Sequence, residues 1–206
     1  MRVRDVMSTP VVTVTADCPV RKAAGLLAHY GYTALPVVDD QEGLVGIVTE
    51  ADLMRDRFPR DRTLPPPPPE TDPAAPGTVG EVMTTTVRSV STESDVVDLV
   101  RLMLDLRIRS VPAVRGNRVR GIVTRRDLIR ALGRDDEALA RDIRRRLAFF
   151  GGPSRWQVEV HDGAATIVDA LDSAVDRQVA TVLAEGVVGV IRAECVSAAE
   201  CTESRS

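Results

Sequence analysis

Residues 7–55 read MSTPVVTVTADCPVRKAAGLLAHYGYTALPVVDDQEGLVGIVTEADLMR, and residues 83–130 read MTTTVRSVSTESDVVDLVRLMLDLRIRSVPAVRGNRVRGIVTRRDLIR. One pattern is written twice. Val3 aligns with Val79, Met7 with Met83, Pro36 with Pro112 and Val38 with Val114, at a constant offset of 76. Gly46 then aligns with Gly121, so one residue is lost where DDQEG at 39–43 becomes RGNR at 115–118. A length change confined to a polar turn is expected of two copies of one fold, because surface turns tolerate it and packed strands do not. Two copies imply a pseudo-two-fold pair with a cleft between its halves, which is where function is sought first.

Each copy reads strand, helix, strand, strand, helix. Residues 11–14 are β-branched and strand-like. Asp17 or Cys18 then caps a helix with Pro19 in its first turn, where proline is tolerated. Val20, Ala23, Ala24, Leu27 and Ala28 recur at helical spacing, and Gly31 ends the element. Residues 35–38 and 44–48 are apolar strands joined by a polar turn, and a second helix runs from Thr49 to about Arg57. In the second copy Ser94 is the expected N-cap, with Asp95 near the positive helix end. Residues 135–150 read as a further helix with Leu139, Ile143, Leu147 and Phe150 on one face. Strands at 156–160 and 165–168 around an Asp162-Gly163 turn follow, then a helix near 174–184 and a strand at 186–192. The expected fold class is α+β: two β-α-β-β-α repeats (residues 1–58 and 79–133) and a small α-β-β-α-β domain (134–196). A proline-rich linker occupies 59–78, its five prolines at 65–69 favouring extended polyproline II. The small, polar residues 197–206 form a disordered tail.

Composition narrows the function classes. A 44% hydrophobic fraction with 28% charge is ordinary for a globular protein of 206 residues. No window approaches about 18 uninterrupted apolar residues, and the N-terminus lacks an apolar signal core, so the expected location is cytoplasmic. Cys18, Cys195 and Cys201 are odd in number and lack metal-ligand spacing, so they read as reduced thiols. Lys22 is the sole lysine against abundant arginine, a bias typical of GC-rich bacterial genomes. Residues 79–150 carry 15 basic and 10 acidic groups, and residues 151–206 carry 4 and 9. An anionic ligand would therefore prefer the second repeat.

The most specific short signal is Gly46-Ile-Val-Thr49-Glu-Ala-Asp52, repeated as Gly121-Ile-Val-Thr124-Arg-Arg-Asp127. A strand ends in threonine, a helix begins, and a carboxylate follows three residues later. Two readings share this geometry. Thr-x-x-Asp resembles a capping box that satisfies the first helix amides. It also suits a nucleoside phosphate, with phosphate at a hydroxyl-bearing helix N-terminus and the carboxylate accepting ribose hydroxyls.

With its leading Met-Ser/Thr, its apolar-Pro-apolar-Val strand and this ending, each copy resembles a CBS domain, and the two together resemble a Bateman module. The resemblance implies that Thr49, Asp52, Thr124 and Asp127 contact the phosphate and ribose of an adenine nucleotide or S-adenosylmethionine. It likewise assigns Thr33, Ala34, Arg109 and Ser110 to the base and phosphates, and Val12 and Arg88 to first-strand positions lining the site. Arg109 stands where the first copy has Thr33, and a guanidinium there can pair with phosphate.

The C-terminal stretch Val158-Glu-Val-His-Asp162-Gly163-Ala-Ala-Thr166-Ile167, closing on Gly186-Val-Val-Gly189-Val190-Ile191, resembles a BON domain. Asp169 departs from the glycine usual after the second strand. That family is associated with phospholipid-rich surfaces or other partners in exported proteins. Here no export signal precedes it, and the charge of about −5 over residues 151–206 is repelled by an anionic leaflet.

Other residues carry less. Arg144, Arg145 and Arg146 read as an exposed helix face, and without aromatic platforms nucleic-acid binding is disfavoured. His29 reads as a cap or surface group, His161 as a turn residue, Cys18 as a thiol lacking a base or resolving partner, and Trp156 as a core anchor. No nucleophile with a base and no metal cluster is visible, which excludes an enzyme. The expected function is a cytosolic regulatory sensor with no tightly bound cofactor. Its pair binds ATP, ADP, AMP or S-adenosylmethionine and relays a change to a protein partner through the BON-like unit. The alternative is a ligand-free homodimeric scaffold, joined through the helices of the pair, that presents the BON-like unit to a protein or membrane surface.

Overall fold

The computed structural model describes residues 1–55, 77–171 and 173–198. The five prolines of the linker, and the tail beyond residue 198, lie outside the described residues. The chain divides into two compact units, residues 7–124 and residues 1–6 with 125–206.

In the first unit, α2 (Val20–Tyr30) precedes the antiparallel pair β1 (Ala34–Val38) and β2 (Leu44–Thr49), and α3 (Glu50–Met54) follows. The second copy supplies β3 (Val90–Ser91), α4 (Val96–Asp105), β4 (Ser110–Arg115) and β5 (Arg118–Thr124), in sheet order β3-β4-β5. The strand expected at 11–14 is reduced to one parallel bridge. Val14 N donates to Pro36 O at 3.1 Å and Val14 O accepts from Val38 N at 2.9 Å, with no second pair. The full β-α-β-β-α order therefore appears only in the second copy. Pro19 is the N-cap of α2 and not a residue of its first turn, with Lys22 N and Ala23 N donating to its carbonyl. At α4 the cap is Asp95 and not Ser94, its carboxylate accepting from Val97 N at 2.8 Å. Gly31, at φ 66°, closes α2 in the left-handed conformation that glycine adopts at little cost.

The two repeats exchange their leading arms. Ser8, ahead of the first repeat, exchanges both backbone hydrogen bonds with Ile122 of β5, at 2.9 and 3.2 Å. Thr84, ahead of the second, does the same with Ile47 of β2, both at 2.9 Å. The methionine before each arm residue covers a glycine of the opposite repeat, and the fit is tight. A Cβ at Gly46 would lie 2.5 Å from Met83 Sδ; one at Gly121 would lie 2.7 Å from Met7 Sδ and 2.9 Å from Ser8 O. A 3₁₀ turn at Val79–Glu81 continues the exchange, because Val79 is fully buried in the first repeat's core with Leu27, Leu35, Val37, Val48 and Leu53. The turn that lost a residue meets its counterpart: Leu44 N donates to Asn117 O at 3.0 Å.

The second unit contains α1 (Val3–Val6), α5 (Arg125–Leu132), α6 (Asp136–Ala148), β6 (Trp156–His161), β7 (Ala164–Asp169), α7 (Ala174–Glu185) and β8 (Arg192–Ser197). Its sheet runs β6-β7-β8, with β6 antiparallel and β8 parallel to β7. Asp162 and Gly163 have φ of 47° and 74°, the positive pair that a two-residue hairpin of matching twist requires. Both turn amides donate to Asp136 at the start of α6, at 2.8 and 2.9 Å. Leu139, Ile143 and Leu147 pack with Trp156, Val158, Ile167, Ala180 and Ala184 to form the core. The last strand lies at Arg192–Ser197 and not at 186–192. The apolar run at 187–190 instead turns through Gly189, at φ 97°, and buries Val187 in the core. Ser197, expected in the tail, is the buried end of β8.

Candidate functional site

Strand direction decides which residues meet. Because β3 and β4 are parallel, the chain enters both at one end of their sheet, and antiparallel β5 leaves at that same end. Arg88, two residues before β3, therefore shares an end with Arg109 and Ser110 at the entry to β4. Thr124, the last residue of β5, is the register partner of Ser110. The first repeat repeats this layout. Val12 stands two residues before the Val14 bridge, Thr33 precedes β1, and Ala34 is the register partner of Thr49. The two ends touch, with Thr33 Oγ1 3.2 Å from Ser110 Oγ.

This contact joins residues that do not match in the alignment of the copies. Thr33 corresponds to Arg109 and Ala34 to Ser110, so the pseudo-two-fold counterpart of the hydroxyl pair is Arg109 with Ala34. Matching the copies position by position identifies equivalents and is silent about neighbours one position apart, which is why the sequence did not reveal the pairing.

At the first-repeat end the capping reading is realised. Thr49 N and Thr49 Oγ1 both donate to Asp52 Oδ2, at 2.9 and 2.7 Å, and Asp52 N donates to Thr49 Oγ1 at 3.4 Å. Among the described residues Asp52 Oδ1 accepts no hydrogen bond, so the cap uses half of the carboxylate and leaves the other oxygen for a ligand hydroxyl. Glu50 N donates to Thr33 O at 3.2 Å, fixing the start of α3 against the entry to β1. Asp127, the carboxylate of the second motif, belongs to the other compact unit, where it is buried on α5 and ion-pairs with Arg130 at 3.5 Å. The remaining candidates all lie within residues 7–124.

The most strongly perturbed titratable groups are elsewhere. Asp169, fully buried, accepts Arg155 Nε at 2.8 Å, Arg155 Nη2 at 3.0 Å, and Leu171 N and Ser173 N at 3.0 Å each. The Arg155 hydrogen bond is the main reason its carboxyl is held far below the usual carboxylate range. Arg155 also ion-pairs with Asp176 at 2.8 Å and lies 4.4 Å over the Trp156 ring. Perturbed groups in a cleft suggest chemistry, but here every acceptor position is filled, so this is a structural clamp. The departure from glycine at Asp169 thus has a physical reason. Cys195, half-buried in β8, has its thiol pushed up to about 11, chiefly by burial.

Arg144, Arg145 and Arg146 are exposed as expected, yet each is engaged. Arg144 donates to Val158 O at 2.8 Å, Arg145 pairs with Asp142 at 3.4 Å, and Arg146 donates to Leu183 O at 3.3 Å. Trp156 is a buried core residue whose indole donates to Phe150 O. His29 is an exposed surface group lying edge-on to Tyr30 at 4.7 Å, and the cap of that helix is Gly31. Among the described residues no helix is long and apolar enough to cross a membrane.

The sequence model of the CBS domain matches residues 3–57 and 79–134. Protein MJ1404 of Methanocaldococcus jannaschii is 34% identical over 131 residues, which are 63% of this chain and 31% of that protein. The chain thus spans about a third of that relative's length. The crystal structure of the CBS domain pair of protein MJ0100, in complex with 5′-methylthioadenosine and S-adenosyl-L-methionine, superposes with a TM-score of 0.54 at 28% identity. That superposition covers 65% of this chain and 100% of the other. CBSX2 in complex with AMP gives 0.53 at 27% identity, over 63% and 94% of the two chains. The duplicated motif, the exchanged arms and these matches agree that the chain belongs to the CBS-domain family and carries two copies of the domain.

Proposed function

We propose that this protein is a cytosolic regulator whose paired repeats bind an adenine nucleotide or an S-adenosylmethionine-type ligand where the two sheet ends meet. The observation that carries the reading is the 3.2 Å contact between Thr33 and Ser110, which juxtaposes the ends bearing the Thr-x-x-Asp motifs. The MJ0100 and CBSX2 domain pairs hold adenosine-containing ligands, which supports the same class here. Thr49 and Thr124 would meet phosphate, and Asp52 and Asp127 the ribose, with Val12 and Ala34 offering an apolar wall to the base. An adenine here is held by aliphatic groups and backbone amides, because aromatic residues are only 3% of the chain. Ligand shifts the pair only by its differential affinity for two arrangements. The C-terminal unit, which we read as BON-like from its motif and its α-β-β-α-β order, passes that change to a protein partner.

Thermal melting with and without ATP, ADP, AMP and S-adenosylmethionine tests this. Ligand at about 100 times Kd adds roughly 2.7 kcal/mol. Asp52→Asn keeps an acceptor for the Thr49 amide but cannot accept both ribose hydroxyls, so it loses the shift without losing the fold. The absence of a shift with every ligand would overturn the reading and favour the second, a homodimeric scaffold. That alternative draws on the exposed apolar side chains of the repeat helices, Tyr30, Met54, Val97 and Leu104, each more than half exposed.

A further inference from the structure

Three arginines of the second repeat stand where the first has no charge. Arg88 replaces Val12, Arg107 replaces Gly31 and Arg109 replaces Thr33. Parallel β3 and β4 bring all three to the end of the sheet that also carries Ser110 and Thr124. All three are exposed, and among the described residues none of their side chains has a hydrogen bond or ion pair. Arg118, Arg130 and Arg141 are paired, with Glu42, Asp127 and Glu137. Arg115, Arg120 and Arg126 have no side-chain partner among the described residues either, so what sets Arg88, Arg107 and Arg109 apart is their shared sheet end.

Arg107 is the most informative. Its φ is 54°, the left-handed conformation of its counterpart Gly31 at 66°. A long side chain is costly there and glycine is not. Such a conformation persists where the surrounding structure fixes it and clusters at binding sites, which marks Arg107 as a candidate. The first-repeat end has the opposite character, with Glu50 and Asp52 at the start of α3 and no arginine or lysine among its candidate residues.

We propose that the second-repeat end is a polyphosphate clamp, in which Arg107 and Arg109, with Arg88, select a nucleoside di- or triphosphate. This rests on the reading that the sheet ends bind adenosine ligands, and it divides them by charge. The second-repeat end takes one polyphosphate per chain. The first-repeat end, with two carboxylates and the Thr33 hydroxyl, takes an adenosine ligand without a phosphate chain. Three guanidinium forks offer more donors than the three free oxygens of a monophosphate accept in paired geometry, so a phosphate chain engages more of them.

Isothermal titration of the full chain with ADP, AMP, 5′-methylthioadenosine and inorganic tripolyphosphate tests the clamp. ADP is expected to bind one per chain and at least about tenfold tighter than AMP. Arg109→Ala and Arg107→Gly are each expected to weaken ADP and tripolyphosphate by about ten- to a hundredfold, the worth of one charge-assisted hydrogen bond. Arg107→Gly, at a position outside the base-lining residues, should leave 5′-methylthioadenosine within about twofold. Because Arg107→Gly restores the residue suited to this backbone, its melting temperature should rise or hold, which separates lost affinity from lost folding. Equal affinity for ADP and AMP, or equal weakening of ADP and 5′-methylthioadenosine by Arg107→Gly, would overturn the clamp. Arginine-dependent tripolyphosphate binding without any adenosine binding would keep the clamp and sink the adenosine reading. If no probe binds, both fail.

Discussion

Asp169 shows how much one side chain can hold. It is wholly buried, its charge is matched by Arg155, and two backbone amides complete its shell. Removing one partner of such a pair leaves the other charge buried, so Asp169→Ala should cost about 3–5 kcal/mol. Trp156 is the chain's single tryptophan and lies in the same core, so its fluorescence during urea unfolding reports this unit selectively. The pH dependence has a definite sign. The folded carboxyl is held below its unfolded value of about 3.9, so its contribution is complete above that pH and is lost as pH falls through the folded value. Urea midpoints read from Trp156 should therefore hold near neutrality and drop below about pH 4. Asp169→Asn should be less stable at pH 7 and show a shallower acid slope; an unchanged slope would remove Asp169 from the account. The sequence marked this position as a departure from a family glycine, but could not show why. Arg155 and Asp176 lie on either side of it in the chain, and only the β6–β7 register and the start of α7 bring them together.

At the scale of elements, the exchanged arms make the two repeats a single interlocked piece. Ile47 of β2 and Ile122 of β5 each exchange two backbone hydrogen bonds with the other repeat's arm, and each motif glycine is capped by the other repeat's methionine. The glycines look interchangeable in sequence but face different obstacles. The three atoms nearest a methyl at Gly46 all belong to the Met83 side chain, which is flexible and can give way; one at Gly121 would also meet the Ser8 carbonyl, which cannot. Gly121→Ala should therefore cost about 1–3 kcal/mol and Gly46→Ala clearly less, as read by far-ultraviolet dichroism in urea. Equal costs would contradict the arm geometry. Here too the legible part of the sequence has a boundary. Apolar periodicity and the repeat placed the helices and central strands, because those patterns are local. The residues 11–14 and 186–192 misled, because an apolar run signals burial equally well as a strand or as a loop packed inward. The exchange was hidden for another reason: an offset of 76 says which residues correspond, not which copy supplies each arm.

For the whole molecule, an interlocked pair restricts what a ligand can do. Parting the repeats would break both arm exchanges together, so a ligand of the kind proposed would act through a small relative adjustment of the repeats. Capping and binding are also not rival explanations for Thr-x-x-Asp. The cap occupies Asp52 Oδ2 and leaves Oδ1, so Thr49→Ala should cost about 1 kcal/mol in a melt without ligand and weaken adenosine binding as well. Loss of stability with unaltered binding would reduce the motif to a cap. Whether the meeting point of the two sheet ends is an adenosine site is settled by a crystal structure grown with saturating ADP and 5′-methylthioadenosine. Ligand density is expected beside the Thr33–Ser110 contact, with ribose at Asp52. Empty sheet ends at saturating ligand, or adenosine bound only elsewhere on the chain, would contradict that reading.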